Sequence, residues 1–324
     1  MNIDSFKYLL SEIFFIDLKD ERGAFKKNVD YPVLIKDMRN IVKENKEDID
    51  VKLFLKAMPI VLALDNNFKH KEAYEEAIKT VKDFDKFLLH EALNEDADLD
   101  IRLIYAYYLK ENYEDINYVY LYVSLLEEKY KEKAIDEAIE IFENIYLKNI
   151  YLNNKETKYA LYKLGYYYRF KKDYIRSRAY FEKYLKLENE LEKKEEVEGV
   201  LSLDYEEYKI ELAEYFIGVK KFKEAYDILI QNIDNAKDDR VFYYLSVVMT
   251  MTGNFKEALD YAIEASKDRQ SAQYMDQLAI SNYNSGNLDS AIAILEKQIK
   301  KEDYTPSTKE YLEKMKEQRD IMNK

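Results

Sequence analysis

His70 and His90 are the only imidazoles in the chain. A histidine-based metal site would need both of them to meet carboxylates in space. They stand twenty residues apart on segments that read as helical, a spacing that gives no chelating pair, so both are read as surface or rim histidines. The run Asn94-Glu95-Asp96-Ala97-Asp98-Leu99-Asp100 has the Asp-x-Asp-x-Asp spacing of a calcium loop. Such a loop also wants Gly where Ile101 sits and Glu where Tyr107 sits, so the run reads instead as a helix cap with acids in the first turn. Cysteine is absent, which removes thiolate ligands, disulfides and cysteine nucleophiles together. Gly-x-Ser-x-Gly, Gly-x-Gly-x-x-Gly and Walker sequences are absent too. Carboxylates are plentiful, but Glu- and Lys-rich helix surfaces at i, i+4 spacing produce the same count without catalysis. No enzyme, no metal and no cofactor is expected.

The elements that carry these residues are helical. The 324 residues include only 6 Gly and 3 Pro, too few for strand-and-turn architectures. Apolar residues make up 47% and charged residues 35%, with a mean hydropathy of −0.56, which fits helices that each keep one wet face. The net charge of −13 repels phosphate backbones unless a basic stripe overrides it. Lys43, Lys46, Lys52 and Lys56 alternate with Glu44, Glu47, Asp48 and Asp50, a mixed solvated face. Direct nucleic-acid binding is not expected. Met1 to Lys19 lacks the basic n-region and cleavage site of a signal peptide, and no apolar run approaches the ~18 residues of a membrane span. The chain is expected in the cytoplasm, away from membranes.

Self-similarity is the strongest signal. Gly253-Asn254-Phe255-Lys256-Glu257-Ala258 recurs as Gly286-Asn287-Leu288-Asp289-Ser290-Ala291 and as Lys220-Lys221-Phe222-Lys223-Glu224-Ala225, with successive alanines 33 residues apart. Apolar helical runs precede each copy (Leu212-Ala213-x-x-Phe216, Leu245-Ser246-x-x-Met249, Leu278-Ala279-x-x-Asn282), and amphipathic runs follow. A further copy reads Leu161, Leu164-Gly165, Tyr168, Asp173-Tyr174, Ser177, Phe181 and Tyr184. Small residues at Gly165, Ala213, Ser246 and Ala279, facing Ser177, Ala225, Ala258 and Ala291, let paired helices approach closely.

These residues resemble the tetratricopeptide repeat, with Leu-Gly/Ala-x-x-Tyr on a first helix and Ala-x-x-x-Phe on a second. The resemblance implies an all-α, tetratricopeptide-like helical-hairpin solenoid coiled as a right-handed superhelix, with an N-terminal helical capping region. Three segments are expected: an N-terminal helical region over 1–96, divergent repeats over 97–155, and repeats with a C-terminal capping helix over 156–324. The family's proline after the second helix is missing, and Asn189 stands at its place. Residues 191–205 form a Glu- and Lys-rich insert, either a helix extension or a charged loop. Gly23 and Tyr31-Pro32 mark breaks in the first segment, whose inner helical faces include Leu9-Leu10-x-x-Ile13-Phe14.

In that family the first helices line a concave groove that binds proteins or peptides. The resemblance places in the groove Tyr159, Tyr162, Tyr166 and Arg169; Glu207, Ile210 and Glu214; Arg240, Tyr243, Val247 and Thr250; and Gln273, Asp276, Ile280 and Tyr283. Tyrosine and arginine favour interfaces because they bury area at low entropic cost and keep a polar tip, which singles out Tyr159, Tyr162, Tyr166 and Arg169. The Lys and Asn of chaperone-tail adaptors are replaced by Tyr162, Tyr166, Ile210 and Glu214, so recognition of chaperone tails is not implied. Two functions follow: an interaction scaffold for a protein or peptide, homo-oligomers included, or a peptide-sensing regulator that controls a partner protein by changing conformation.

Overall fold

The computed structural model describes residues 2–44, 49–149, 152, 154–231, 233 and 238–322. Lys46, Glu47 and Asp48 of the mixed-charge face lie outside the described residues. The chain divides into two compact units, Met1–Ala160 and Leu161–Lys324.

The first unit opens with a 3-10 stretch, Ile3–Glu12, and two antiparallel strands, β1 (Ile13–Asp17) and β2 (Asp30–Leu34), with Ile13 opposite Leu34 and Asp17 opposite Asp30. Helices α1 (Ile35–Lys43), α2 (Val51–Leu64), α3 (Lys71–Thr80), α4 (Phe84–Leu93), α5 (Leu99–Asn112), α6 (Ile116–Tyr130) and α7 (Ile135–Lys148) follow. The hairpin corrects the expectation of helix across the first segment. Ile13-Phe14-Phe15-Ile16 and Tyr31-Pro32-Val33 are β-branched and aromatic runs, and Pro32 brings no N–H to a helix. Tyr31 is fully buried and its ring meets Phe25 at 5.2 Å and Phe54 of α2 at 5.3 Å. Helix α2 buries residues on nearly every side, from Phe54 to Leu64, which makes it the axis of this unit. The acidic run is a cap: Asp98 Oδ1 accepts the Asp100 N–H at 2.8 Å at the start of α5, and the Asp100 carboxylate accepts from Tyr8 and Lys129.

Helix α8 (Lys155–Phe170) contains the boundary between the units. Beyond it run α9 (Tyr174–Leu187), α10 (Leu191–Leu203), α11 (Tyr205–Gly218), α12 (Phe222–Ile230), α13 (Asp239–Met251), α14 (Phe255–Ala265), α15 (Ala272–Asn284), α16 (Leu288–Lys300) and α17 (Pro306–Met322). The pairs α8/α9, α11/α12, α13/α14 and α15/α16 are the repeated hairpins. Apart from the β1–β2 hairpin, the chain is an all-α helical repeat fold of the solenoid type, tetratricopeptide-like in its hairpins.

The repeat turns share one backbone device. Lys172, Lys220, Gly253 and Gly286 all have positive φ, at 59°, 59°, 82° and 86°. The residue after each donates its N–H back five positions: Asp173 to Tyr168, Lys221 to Phe216, Asn254 to Met249 and Asn287 to Asn282. This is the Schellman closure, which satisfies carbonyls that the helix end would leave orphaned. Inside the hairpins the small residues meet. Ala213, Ala225, Ser246, Ala258, Ala279 and Ala291 are all fully buried, and Ser177 Oγ donates to the Gly165 carbonyl at 2.9 Å.

Candidate partner-binding surface

The aromatic face expected on α8 exists, and the chain itself engages its polar tips. The insert is a separate helix, α10, that buries Val197 and brings Glu196 to this face. Tyr162 and Tyr166 both donate to Glu196 Oε1, at 2.7 and 2.6 Å. The rings are fixed from below: Tyr162 lies 4.9 Å from Tyr166 and 5.5 Å from Tyr184, and Tyr166 meets Phe181 edge-on at 5.0 Å. Arg169 grips Asp204, at the junction of α10 and α11, with both Nε and Nη2, a bidentate geometry that lysine could not reproduce. Burial and the Glu196 hydrogen bond push the Tyr166 phenol well above its ordinary value, while the two phenols, Tyr166 first, hold the Glu196 carboxyl below its own.

Tyr159 belongs to the first unit, where its ring lies 4.4 Å from Tyr120 and 5.8 Å from Phe142. It remains 39% exposed.

Along the later hairpins the expected groove residues separate into three kinds. Ile210 is buried in a core of Ala213, Ala225, Leu229 and Val241, so its place on an open groove is corrected. Asp276 is corrected as well. It is buried and accepts hydrogen bonds from Thr305 Oγ1 at 2.6 Å and Thr308 Oγ1 at 2.8 Å, which ties α15 to the start of α17. Arg240 is saturated in place: its guanidinium spans both oxygens of Glu207 at 2.9 and 2.7 Å and also holds Asp238. Tyr243 is half-buried, stacked 4.7 Å from Tyr274, and accepts from Gln273 at 3.0 Å. Thr250 joins a buried set in which Gln277 donates to it and to Ser246. Glu214 and Tyr283 are exposed. Burial, and then the charge of Glu214, raise the Tyr244 phenol of the neighbouring α13 above its ordinary value.

Sequence reasoning missed Glu196 and Asp204, the partners that cover the face, and Glu211 beyond it. Glu211 of α11 accepts from the N–H groups of Tyr174 and Ile175, capping α9 from another hairpin. The available signal was the apolar residues within the charged insert, Val197, Val200, Leu201 and Leu203, of which Val197 is buried.

The two histidines are apart. His70 Nε2 lies 3.4 Å from Asp30, and His90 is exposed on α4. Among the described residues no three His, Asp or Glu side chains converge as metal ligands, and no helix is long and apolar enough to cross a membrane.

Neither a protein-family model nor a curated protein matches the chain. Among solved structures it is similar to one described as "Crystal structure of APC/C hetero-tetramer Cut9-Hcn1", at 15% identity and a TM-score of 0.33. The match covers 87% of this chain and 59% of that one, so the chain spans about three fifths of that structure's length.

Proposed function

We propose that this chain is a non-catalytic interaction scaffold that binds a protein or peptide partner on the first-helix faces of its hairpins, with Tyr162, Tyr166 and Arg169 as the main contact. The supporting observation is the seating of α10. Two phenols and one guanidinium on this face already receive the carboxylates of an acidic helix, which is the chemistry an acidic partner segment would use. Fixed aromatic rings with polar tips give such a contact area at low entropic cost. The exposed Glu214 and Tyr283 would extend it along the array. We place this activity in the cytoplasm, where a chain without cysteine loses nothing to reduction.

The peptide-sensing reading draws on the same contact. Val197 is the only buried residue of α10, and the rest of its hold is through the partly buried Val200 and Leu201, the exposed Glu196 and the part-buried Asp204 pair. A peptide presenting carboxylates could take the place of Glu196 and Asp204 and release α10, changing the surface offered to a partner protein.

Copurification followed by mass spectrometry separates the readings. A stable protein partner, retained by the wild type and lost by Tyr162→Ala/Tyr166→Ala, supports the scaffold, and a short bound peptide supports the sensor. Retention of every copurifying species by the double variant would remove the α8 face from both.

A further inference from the structure

A second surface lies wholly within the first unit. Between β1 and α1 runs an open groove of about 510 Å³, lined by Phe14, Ile35, Met38, Arg39, Val42 and Lys43. The α1 residues among these follow helical periodicity: positions 35, 38, 39 and 42 share one arc, with 43 at its margin. Asp37 projects from the opposite side, half-buried in the field of Lys56 on α2 and Glu91 on α4. Helix α1 therefore turns Asp37 inward while its apolar face stays open, with Val42 69% and Phe14 on β1 52% exposed.

Open apolar surface of this kind, rimmed by charge, marks interaction sites. Its volume also falls within the about 300–1,000 Å³ of ordinary binding pockets.

The charge of the rim selects the occupant. In a chain of net charge −13, Arg39 and Lys43 have no carboxylate partner among the described residues. They stand four residues apart on α1, one above the other, with Cβ atoms about 5–6 Å apart. An apolar floor beside two stacked cations matches a helix that presents apolar side chains downward and two carboxylates one turn apart at its edge. The geometry points to a docking site in the α1–β1 groove for an acidic, apolar-anchored segment of a partner protein.

The test uses the full chain and a fluorescently labelled amphipathic peptide with Leu at i, i+3, i+4 and i+7 and Glu on the flanking positions. Anisotropy should show saturable binding that weakens with salt and falls about tenfold or more in Arg39→Glu/Lys43→Glu, a loss of roughly one surface ion pair per position. A matched peptide with Lys in place of Glu should prefer that charge-reversed variant, and Val42→Asp should abolish binding of the Glu peptide. All three positions are solvent-facing, and circular dichroism confirms that each variant folds. The proposal is overturned if the Glu peptide does not saturate, or if the Glu and Lys peptides bind the wild type equally. It is likewise overturned if phosphatidylserine vesicles bind in an Arg39- and Lys43-dependent way while the peptide does not, which would make the groove a lipid contact. Self-association abolished by Val42→Asp, without peptide binding, would assign the groove to a second copy of the chain.

Discussion

Tyr166 and Glu196 sit 2.6 Å apart, phenol donating to carboxylate, and through this bond a charged insert becomes the cover of an aromatic face. Tyr162 shares the same oxygen at 2.7 Å, so one glutamate accepts from both phenols.

The carboxylate of Glu196 is held below its ordinary value in the folded chain by Tyr166 and then Tyr162. The stability it contributes is therefore present above its unfolded value of about 4.3 and is lost as pH falls through the lower folded value. Glu196→Gln should cost at most about 1 kcal/mol at neutral pH, because solvent screens the pair. The difference from wild type should vanish in strong acid. Urea unfolding at neutral and acidic pH checks both, and a gap that widens on acidification contradicts the assignment.

Gly165 faces Phe181 so closely that a Cβ there would stand 2.4 Å from the ring. Alanine gains about 1 kcal/mol of helix propensity over glycine, but overpacking a filled core costs about 1–3 kcal/mol. Overpacking should win. Thermal unfolding of Gly165→Ala should show a net loss, recovered in part by Gly165→Ala/Phe181→Leu.

The repeat turns make opposite predictions at equivalent positions. Gly253→Ala forces a Cβ into the left-handed region, where L-residues pay about 1–2 kcal/mol. Lys220 already pays that cost, so Lys220→Gly should stabilise by up to about 1 kcal/mol once the extra backbone entropy of glycine is deducted. Paired denaturation midpoints test the sign at each turn.

Asp276 is the latch of the C-terminal helix. Asp276→Ala removes the carboxylate that accepts from the Thr305 and Thr308 hydroxyls, leaving them each other at 3.1 Å, and should cost about 1–3 kcal/mol. Amide exchange should rise first in α17 and not in α13. Uniform protection after the substitution would show that α17 is held by its apolar contacts alone, through Leu312 and Met315.

The repeat was legible because it rests on local chemistry. Ala225, Ala258 and Ala291 mark close helix approach, and Gly253 and Gly286 mark left-handed turns. The N-terminal hairpin was not legible, because Ile13-Phe14 also fits an apolar helical face and only the pairing with β2 decides. Periodicity separates the apolar side of a helix from the polar side without saying what covers either. The resemblance placed Ile210 and Asp276 in the groove, although one joins the core and the other meets Thr305 and Thr308 from beyond the repeats. The resemblance, with their residue types, singled out Tyr162, Tyr166 and Arg169, and the structure sets all three against carboxylates of the insert or its end. Their partners Glu196 and Asp204 lie in a segment with no repeat counterpart, so no register could align them.

The Tyr162–Tyr166–Arg169 face is proposed to meet a partner in place of the α10 carboxylates. Photo-crosslinking from a benzoylphenylalanine placed at Tyr162, in intact cells, tests it most directly. The expected result is an adduct to another protein or peptide that strengthens when Glu196→Ala loosens α10. Crosslinks confined to α10 of the same chain, unchanged by Glu196→Ala, would contradict it.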